Sequence, residues 1–411
     1  HTFANAWLAN RNANVAFVFG MLAVDLHIKH RREGRWLHWP MVLMVLSLLS
    51  AEAGLCALAF IGTWAVFYEP SWRKAMGSLM PYLGLLVLWR WAYRAMGYGT
   101  RGLQLYTEPE AGIGSFLLEI LQNLPLLLTN QWLKLSAELA IFLPQSVGFL
   151  LVGFSTAVVA LLIWIFGRTI KGNRELQFWT VAMLAALIPV CATLPMERLL
   201  LFSGMAFAGL LVGLLQHHSG SMAKWLLVLH LPIAILACTL KSTALIYADG
   251  YFTMAYDSMP KDITDKQTMI FLNGPEFAPP YAVLIPQINE EAGPQSGVLL
   301  SGEPEVTFVR ISDQEFELHI PDGWFELTSM AFKPTRSYQV GEQSTQTDYS
   351  TEILAVTADG QPSRVRFAMR KALGHPDYRW MVWKGLHYEE VPLDSQIGEP
   401  VHYANPIWKL L

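Results

Sequence analysis

Gly148-Phe149-Leu150-Leu151-Val152-Gly153-Phe154-Ser155-Thr156-Ala157-Val158-Val159-Ala160-Leu161-Leu162-Ile163-Trp164-Ile165-Phe166-Gly167 runs without one charged side chain and then meets Arg168, Lys171 and Arg174. About 20 such residues make a helix long enough to cross a bilayer, and lipid tolerates no open backbone, so the stretch must be helical. Similar apolar runs recur at roughly 13–28, 39–67, 79–95, 178–195, 199–216 and 224–247. After residue 247 they stop, and period-two segments take over. Examples are Glu305–Ile311, Gln314–Ile320 and Ser363–Met369, with the turn Asp359-Gly360 before the last. Strands of four to seven residues between Gly, Pro and Asp turns point to an antiparallel sandwich or open barrel. The expected fold class is therefore an α-helical polytopic membrane protein, residues 1–247, with a C-terminal mostly-β domain, residues 248–411, in which no helix is expected.

Charge divides the chain at the same place. Residues 1–247 hold 10 acidic and 17 basic side chains, and residues 248–411 hold 23 acidic and 12 basic, so the net values of +7 and −11 sum to the whole chain's −4. A basic apolar part followed by an acidic polar part reads as bilayer and water. The positive charge sits in short clusters between apolar runs, which argues against nucleic acid as a partner. Cys56, Cys191 and Cys238 all lie inside apolar runs. They read as packing residues, with neither a disulfide framework nor metal-ligand spacing. The sequence begins at His1 with no secretory signal pattern, and reads as a piece whose N-terminal part lies elsewhere.

The basic clusters orient the spans. Lys29, Arg31, Arg32 and Arg35 follow the first run, Arg73 and Lys74 the second, Arg168, Lys171 and Arg174 the run at 148–167, and His217, His218 and Lys224 precede the last. With all four in the cytoplasm, the β domain lies on the extracytoplasmic side. That placement leaves Trp39–Phe67 needing either two short legs that reverse near Ser50-Ala51-Glu52-Ala53-Gly54, or one long tilted helix. Two legs of ~21 Å each at 1.5 Å per residue would have to be tilted or buried among other helices. The mixed segment 97–147, with Glu119, Gln122, Asn123 and Pro125, reads as amphipathic helix lying on the outer face.

No phosphate-binding glycine loop, zinc-binding HExxH or GxSxG elbow is present. Polar residues at membrane level are costly and therefore candidate functional groups. They fall in three places at the expected outer surface: His1 with Asn10 and Arg11, Glu52 in its small-residue break, and Glu197-Arg198. Arginine there suits a lipid phosphate, because its fork matches phosphate oxygens; a carboxylate could hold the arginine or a sugar hydroxyl. A local interfacial ion pair explains Glu197-Arg198 as readily, and a helix–helix hydrogen bond explains Glu52. Asp25, Arg90, Arg94 and Lys241 read as snorkelling or pairing between helices. His230 shows no partner. Trp324, Trp380 and Trp383 could offer a carbohydrate platform, but read better as core of a small β domain.

These three segments resemble the membrane part of the transmembrane and TPR-repeat-containing O-mannosyltransferases, and more broadly the GT-C class of polyprenyl-phosphate-sugar transferases. His1-Thr2, Ala6-Trp7 and Arg11 resemble that family's His-Thr-Glu-Ala-Val-Ala-Trp … Gly-Arg segment. Leu48-Leu49-Ser50-Ala51-Glu52 resembles its Leu-Leu-Ser-Lys-Glu turn. Met196-Glu197-Arg198-Leu199-Leu200-Leu201 with Ser203-Gly204-Met205 resembles its Ala-Glu-Arg-x-Leu-Tyr … Ser-Met-Gly segment. Phe3, Ala51 and Leu201 stand where the family has glutamate, lysine and tyrosine, and a β domain stands where it has TPR repeats.

The resemblance covers residues 1 to about 216. It implies inverting transfer of a sugar from a lipid-phosphate donor on the outer face of a bacterial inner membrane, to a glycan or protein acceptor, with no cofactor and no metal. His1, Arg11, Glu52, Glu197 and Arg198 are then the expected substrate-binding residues, and the general base is expected upstream of His1. The other reading is a non-enzymatic envelope protein that anchors a β domain for binding or assembly. A transporter fits less well, since the charges gather at a surface and no paired broken helices are visible.

Overall fold

The computed structural model describes residues 10–34, 38–98, 107, 112–142, 145–275, 278–324, 337–393 and 395–405. It divides into two compact units, His1–Thr243 and Ala244–Leu411.

The first unit is helical. α1 (Arg11–Glu33) ends in His30, Arg31 and Arg32, cations that suit a helix C-terminus. α2 (His38–Ser50) returns along it, and Ser47 Oγ donates to the carbonyl of Ala16 at 2.7 Å. At Ala51 the backbone becomes extended (φ −165°), a 3-10 turn covers Glu52–Cys56, and α3 (Ala57–Tyr68) runs back. The reversal is close: a Cβ on Gly54 would lie 2.6 Å from Ser47 Oγ and 2.8 Å from its carbonyl carbon. At the other end Arg31 Nε reaches Glu69 Oε1 at 2.5 Å. The apolar run 39–67 is thus two legs hinged at Glu52. α4 (Trp72–Ala95) makes the fourth pass. Its Tyr82 hydroxyl lies 2.9 Å from His27 Nδ1, and its Tyr93 hydroxyl donates to Glu52.

Segment 97–147 departs from the expected surface helix. α5 (Ile113–Leu133) is one helix, and from Asn123 onward its side chains enter the core, with Leu126 to Trp132 all buried. The polar residues that suggested an interface instead satisfy neighbouring elements. Asn123 Nδ2 donates to the carbonyls of Cys191 (3.0 Å) and Thr193 (3.2 Å), and Gln131 Nε2 to Ser203 Oγ (2.7 Å). α6 (Gln145–Gly172) and α7 (Arg174–Cys191) form a hairpin, capped by Asn173, whose side chain accepts from the amides of Glu175 and Leu176. α8 (Leu201–His217) packs on α7 so closely that a Cβ on Gly209 would run into the Trp179 ring. The run 224–247, read as one helix, is broken into α9 (Ser221–His230) and α10 (Pro232–Asp257). Leu231 (φ −112°, ψ −81°) leaves helical geometry because Pro232 crowds it and offers no N–H.

Among the described residues three stretches are long and apolar enough to cross a membrane: Val147–Gly172, Arg174–Cys191 and Ser221–Lys241. His38–Ser50, Glu52–Tyr68 and Leu201–His217 are shorter apolar helices. Leu150, Ile163, Trp164, Ile235 and Leu236 are uncovered, as are Val87, Leu88 and Trp91 on α4. Uncovered apolar area of this extent suits a hydrocarbon solvent.

Among the described residues the second unit holds the end of α10, two sheets and one further helix. β3 (Glu305–Arg310), β4 (Glu315–His319), β5 (Gln343–Thr345), β6 (Tyr349–Val356), β7 (Pro362–Met369) and β10 (Pro400–Ala404) form an antiparallel sheet in the order β10-β3-β4-β7-β6-β5. β1 (Thr268–Phe271), β2 (Ser296–Leu299), β8 (Tyr378–Lys384) and β9 (His387–Glu390) form the other, β2-β1-β8-β9. Here the expectation of an all-antiparallel, helix-free domain fails, because β1 pairs in parallel with both β2 and β8, and α11 (Ala278–Ile288) connects β1 to β2. A parallel neighbour needs such a crossover.

The sheets face each other through Ile270, Phe308, Phe316, Phe367, Trp380 and Val382. The outer face of β1 and β8 is covered as well, by Met259, Ile263 and Ala282. Trp380 and Trp383 are 4% and 1% exposed, so they are core residues and present no face to a sugar.

Candidate functional site

The antiparallel course of α1 to α4 puts the start of α1, the turn at Glu52 and the end of α4 at one end of the helical unit. α7 ends there too, since Cys56 Sγ donates to the carbonyl of Ala186 at 3.3 Å. Residues 192–200 follow, including a 3-10 turn Glu197–Leu199. All the described segments that carry the sequence resemblance therefore share this end.

Glu197 is at its centre and is 5% exposed. Its carboxylate pairs with Lys241 of α10, which joins two elements far apart in the chain. Its backbone N–H donates to Glu138 Oε1 at 2.5 Å, and Glu138 also accepts from Ser136. Lys134, in a left-handed conformation (φ 63°) just after α5, feels the charges of both Glu197 and Lys241. Its ammonium donates to the carbonyl of Gln131 at 3.1 Å and lies 5.7 Å from the Phe207 ring centroid. The half-buried Arg198 accepts, at its carbonyl, a bond from Asn10 Nδ2 at 3.4 Å, which ties residues 197–198 to the start of α1. Lys241 and Lys134 stand against the carboxylates of Glu197 and Glu138, and Arg198, next to Glu197 in the chain, adds a third cation and a net positive charge that suits an anion.

Arg11 opens α1 and is exposed beside Asn10. Glu52 is exposed and held by Tyr93, whose ring is 5.8 Å from the Arg90 guanidinium; it shares the end of the unit with Arg198 but not its hydrogen bonds. His1 lies outside the described residues. Lys241, read as pairing between helices, does pair, and its partner is Glu197. Lys134 and Glu138 went unnoticed in the sequence, because they sit in the segment assigned to the surface. The clue was the polar row Asn123, Thr129, Asn130 and Gln131, too polar for lipid and too apolar around it for water. Among the described residues no group of three or more His, Cys, Asp or Glu could hold a metal ion.

Among the described residues the β unit also buries carboxyl groups, Glu303 at 4% exposed and, in the middle of β4, Glu317 at 8%. Arg366 reaches its Oε1 at 2.9 Å, His319 its Oε2 at 3.3 Å and Arg364 its Oε2 at 3.9 Å. Burial opposes its ionisation, but the bonds from Arg366 and His319 and the two guanidinium charges outweigh burial and hold the carboxyl below the usual range. Register explains the cluster, since Glu317 stands opposite Arg366, and His319 opposite Arg364.

Comparison of the chain with family models, curated proteins and solved structures gives no match.

Proposed function

We propose that the chain is a membrane-embedded glycosyltransferase of GT-C type, closest to the transmembrane and TPR-repeat-containing O-mannosyltransferases, that takes its sugar from a polyprenyl-phosphate donor. One observation supports this best: the segments around Arg11, Glu52 and Glu197-Arg198 share one end of a helical unit, beside a buried Glu197–Lys241 pair and helices with uncovered apolar faces. In this reading the lipid tail lies along the apolar helices and the phosphate reaches Arg198, Lys134 and Lys241, with Arg11 at the rim.

An acceptor hydroxyl attacks the anomeric carbon, the bond from that carbon to the phosphate oxygen breaks, and the carrier leaves as its phosphate, which takes up the proton that the hydroxyl loses. Cations fixed where that negative charge grows lower the barrier. Glu197 and Glu138 position the lysines and the turn that bears Arg198. The membrane is the bacterial inner membrane, and the β unit lies on its extracytoplasmic side, where it meets a glycan or protein acceptor.

The test is binding of polyprenyl phosphate to the full chain in lipid nanodiscs. Arg198→Ala should raise the Kd by about tenfold, the worth of one charge-assisted contact. Absence of binding by the wild type refutes the reading and leaves a membrane anchor that displays a β domain for binding or assembly. Cysteines placed at Gly97 and Ser350 report the orientation, and labelling of either only from the cytoplasmic side overturns it.

A further inference from the structure

The last turn of α5 is surrounded by polar atoms that have no partner among the described residues. Asn130 Nδ2, Gln131 Oε1 and Ser155 Oγ have no hydrogen-bond partner, on side chains that are 2%, 0% and 0% exposed. His230 Nε2 is buried and unpartnered too. All four flank the same turn. Thr129 Oγ1 donates to the carbonyl of Ser155 at 3.4 Å, Gln131 reaches Ser203, and the His230 ring is 6.4 Å from Trp132 and 5.1 Å from Phe207. A buried polar atom left unpaired costs stability, so four around one turn are more than a core ordinarily carries.

Their chemistry is mixed. An amide N–H can only donate, an amide oxygen can only accept, a hydroxyl does both, and an imidazole nitrogen does either according to its tautomer. An anion would satisfy Asn130 but not Gln131, and a cation the reverse. A ligand with several hydroxyl groups satisfies the whole set. Trp132, Phe166 and Phe207 pack on one another beside the same turn, with Trp132 and Phe166 5.4 Å apart, so the unsatisfied atoms are set in apolar surroundings. Lys134 follows this turn directly and connects it to Glu197 and Lys241.

We infer that the last turn of α5, with Ser155 and His230, forms a subsite for the hydroxyl groups of the sugar on the donor. The inference rests on the proposed function, which places the donor's phosphate at the adjacent lysines, and it adds that the sugar is recognised by uncharged groups below them.

The test compares polyprenyl phosphate with polyprenyl-phosphate-hexose, both titrated against the full chain in nanodiscs. The wild type should bind the sugar-bearing carrier at least tenfold more tightly. Asn130→Leu, near-isosteric, and Ser155→Ala, which only removes the hydroxyl, should each erase most of that ratio and leave the Kd for polyprenyl phosphate within twofold. A wild-type ratio near one, or variants that keep the ratio, would mean that the turn holds ordered water only. Equal weakening of both carriers by the variants would make the turn structural, and also overturns the subsite. In all these cases phosphate binding, and with it the proposed function, stands. Failure of the wild type to bind either carrier removes both.

Discussion

Lys241→Met removes one partner of the pair around which the candidate site is built. The side chains of Glu197 and Lys241 are 6% and 20% exposed, so the pair is largely withdrawn from water. Breaking a buried pair by deleting one member costs about 3–5 kcal/mol, because the remaining charge stays desolvated. The Lys134 charge still acts on Glu197, which puts the expectation at the lower end, about 3 kcal/mol. For a unit of this size each kcal/mol moves Tm by roughly 2–4 °C, so the midpoint should fall by about 6–12 °C.

Thermal unfolding of the full chain in nanodiscs, followed by intrinsic fluorescence, reads this out. The double variant Glu197→Gln/Lys241→Met leaves no buried charge at the pair and should recover at least half of the loss, a coupling of about 1.5 kcal/mol or more. A Lys241→Met midpoint within 1 °C of wild type, or a double variant that merely adds the two losses, would refute a buried pair.

Gly209→Ala gains helix propensity but drives a methyl group into the Trp179 ring. It should lower stability by about 1–3 kcal/mol in the same unfolding assay. Phe316→Ala empties a site where the ring lies 5.0 Å from Phe308 and from Phe367 and 5.5 Å from Trp380. A loss of about 3–5 kcal/mol is expected in the β unit, read by near-ultraviolet circular dichroism in denaturant. Because the folded Glu317 carboxyl is held below its ordinary range, its contribution is present at neutral pH and disappears as pH falls through the folded value. Glu317→Gln should therefore lower stability at pH 7 and flatten the acid limb of a pH–Tm curve, and an unchanged slope would remove its role.

The helices and the hinge at Glu52 were legible because each rests on local chemistry: an apolar run, a basic end, or a small-residue break. β3, β4 and β7 were legible for a similar reason. One face of each meets core and the other water, so their side chains alternate. β1 and β8 are covered on both sides, and Thr268-Met269-Ile270-Phe271 and Tyr378–Lys384 show no period to read. α11 escaped notice because Pro279, Pro280 and Pro286 disguise an 11-residue helix as loop. At the candidate site, Arg198 and Glu197 stood out as charges beside an apolar run. Lys134 and Glu138 did not, since their place depends on α5 turning inward, which is a property of packing between helices distant in sequence.

The central position of β1 has a consequence for synthesis. Its neighbour β8 lies about as far along the chain as Asn273 is from Trp383, whose side-chain oxygen and amide meet at 2.9 Å across 110 residues. Long closures of this kind are slow, because chain entropy is lost before any contact repays it. As the polypeptide leaves the ribosome, Met269, Ile270 and Phe271 stay without their main neighbour until residue 384 has emerged. During that interval the emerging segment is an open, oily strand on a tether.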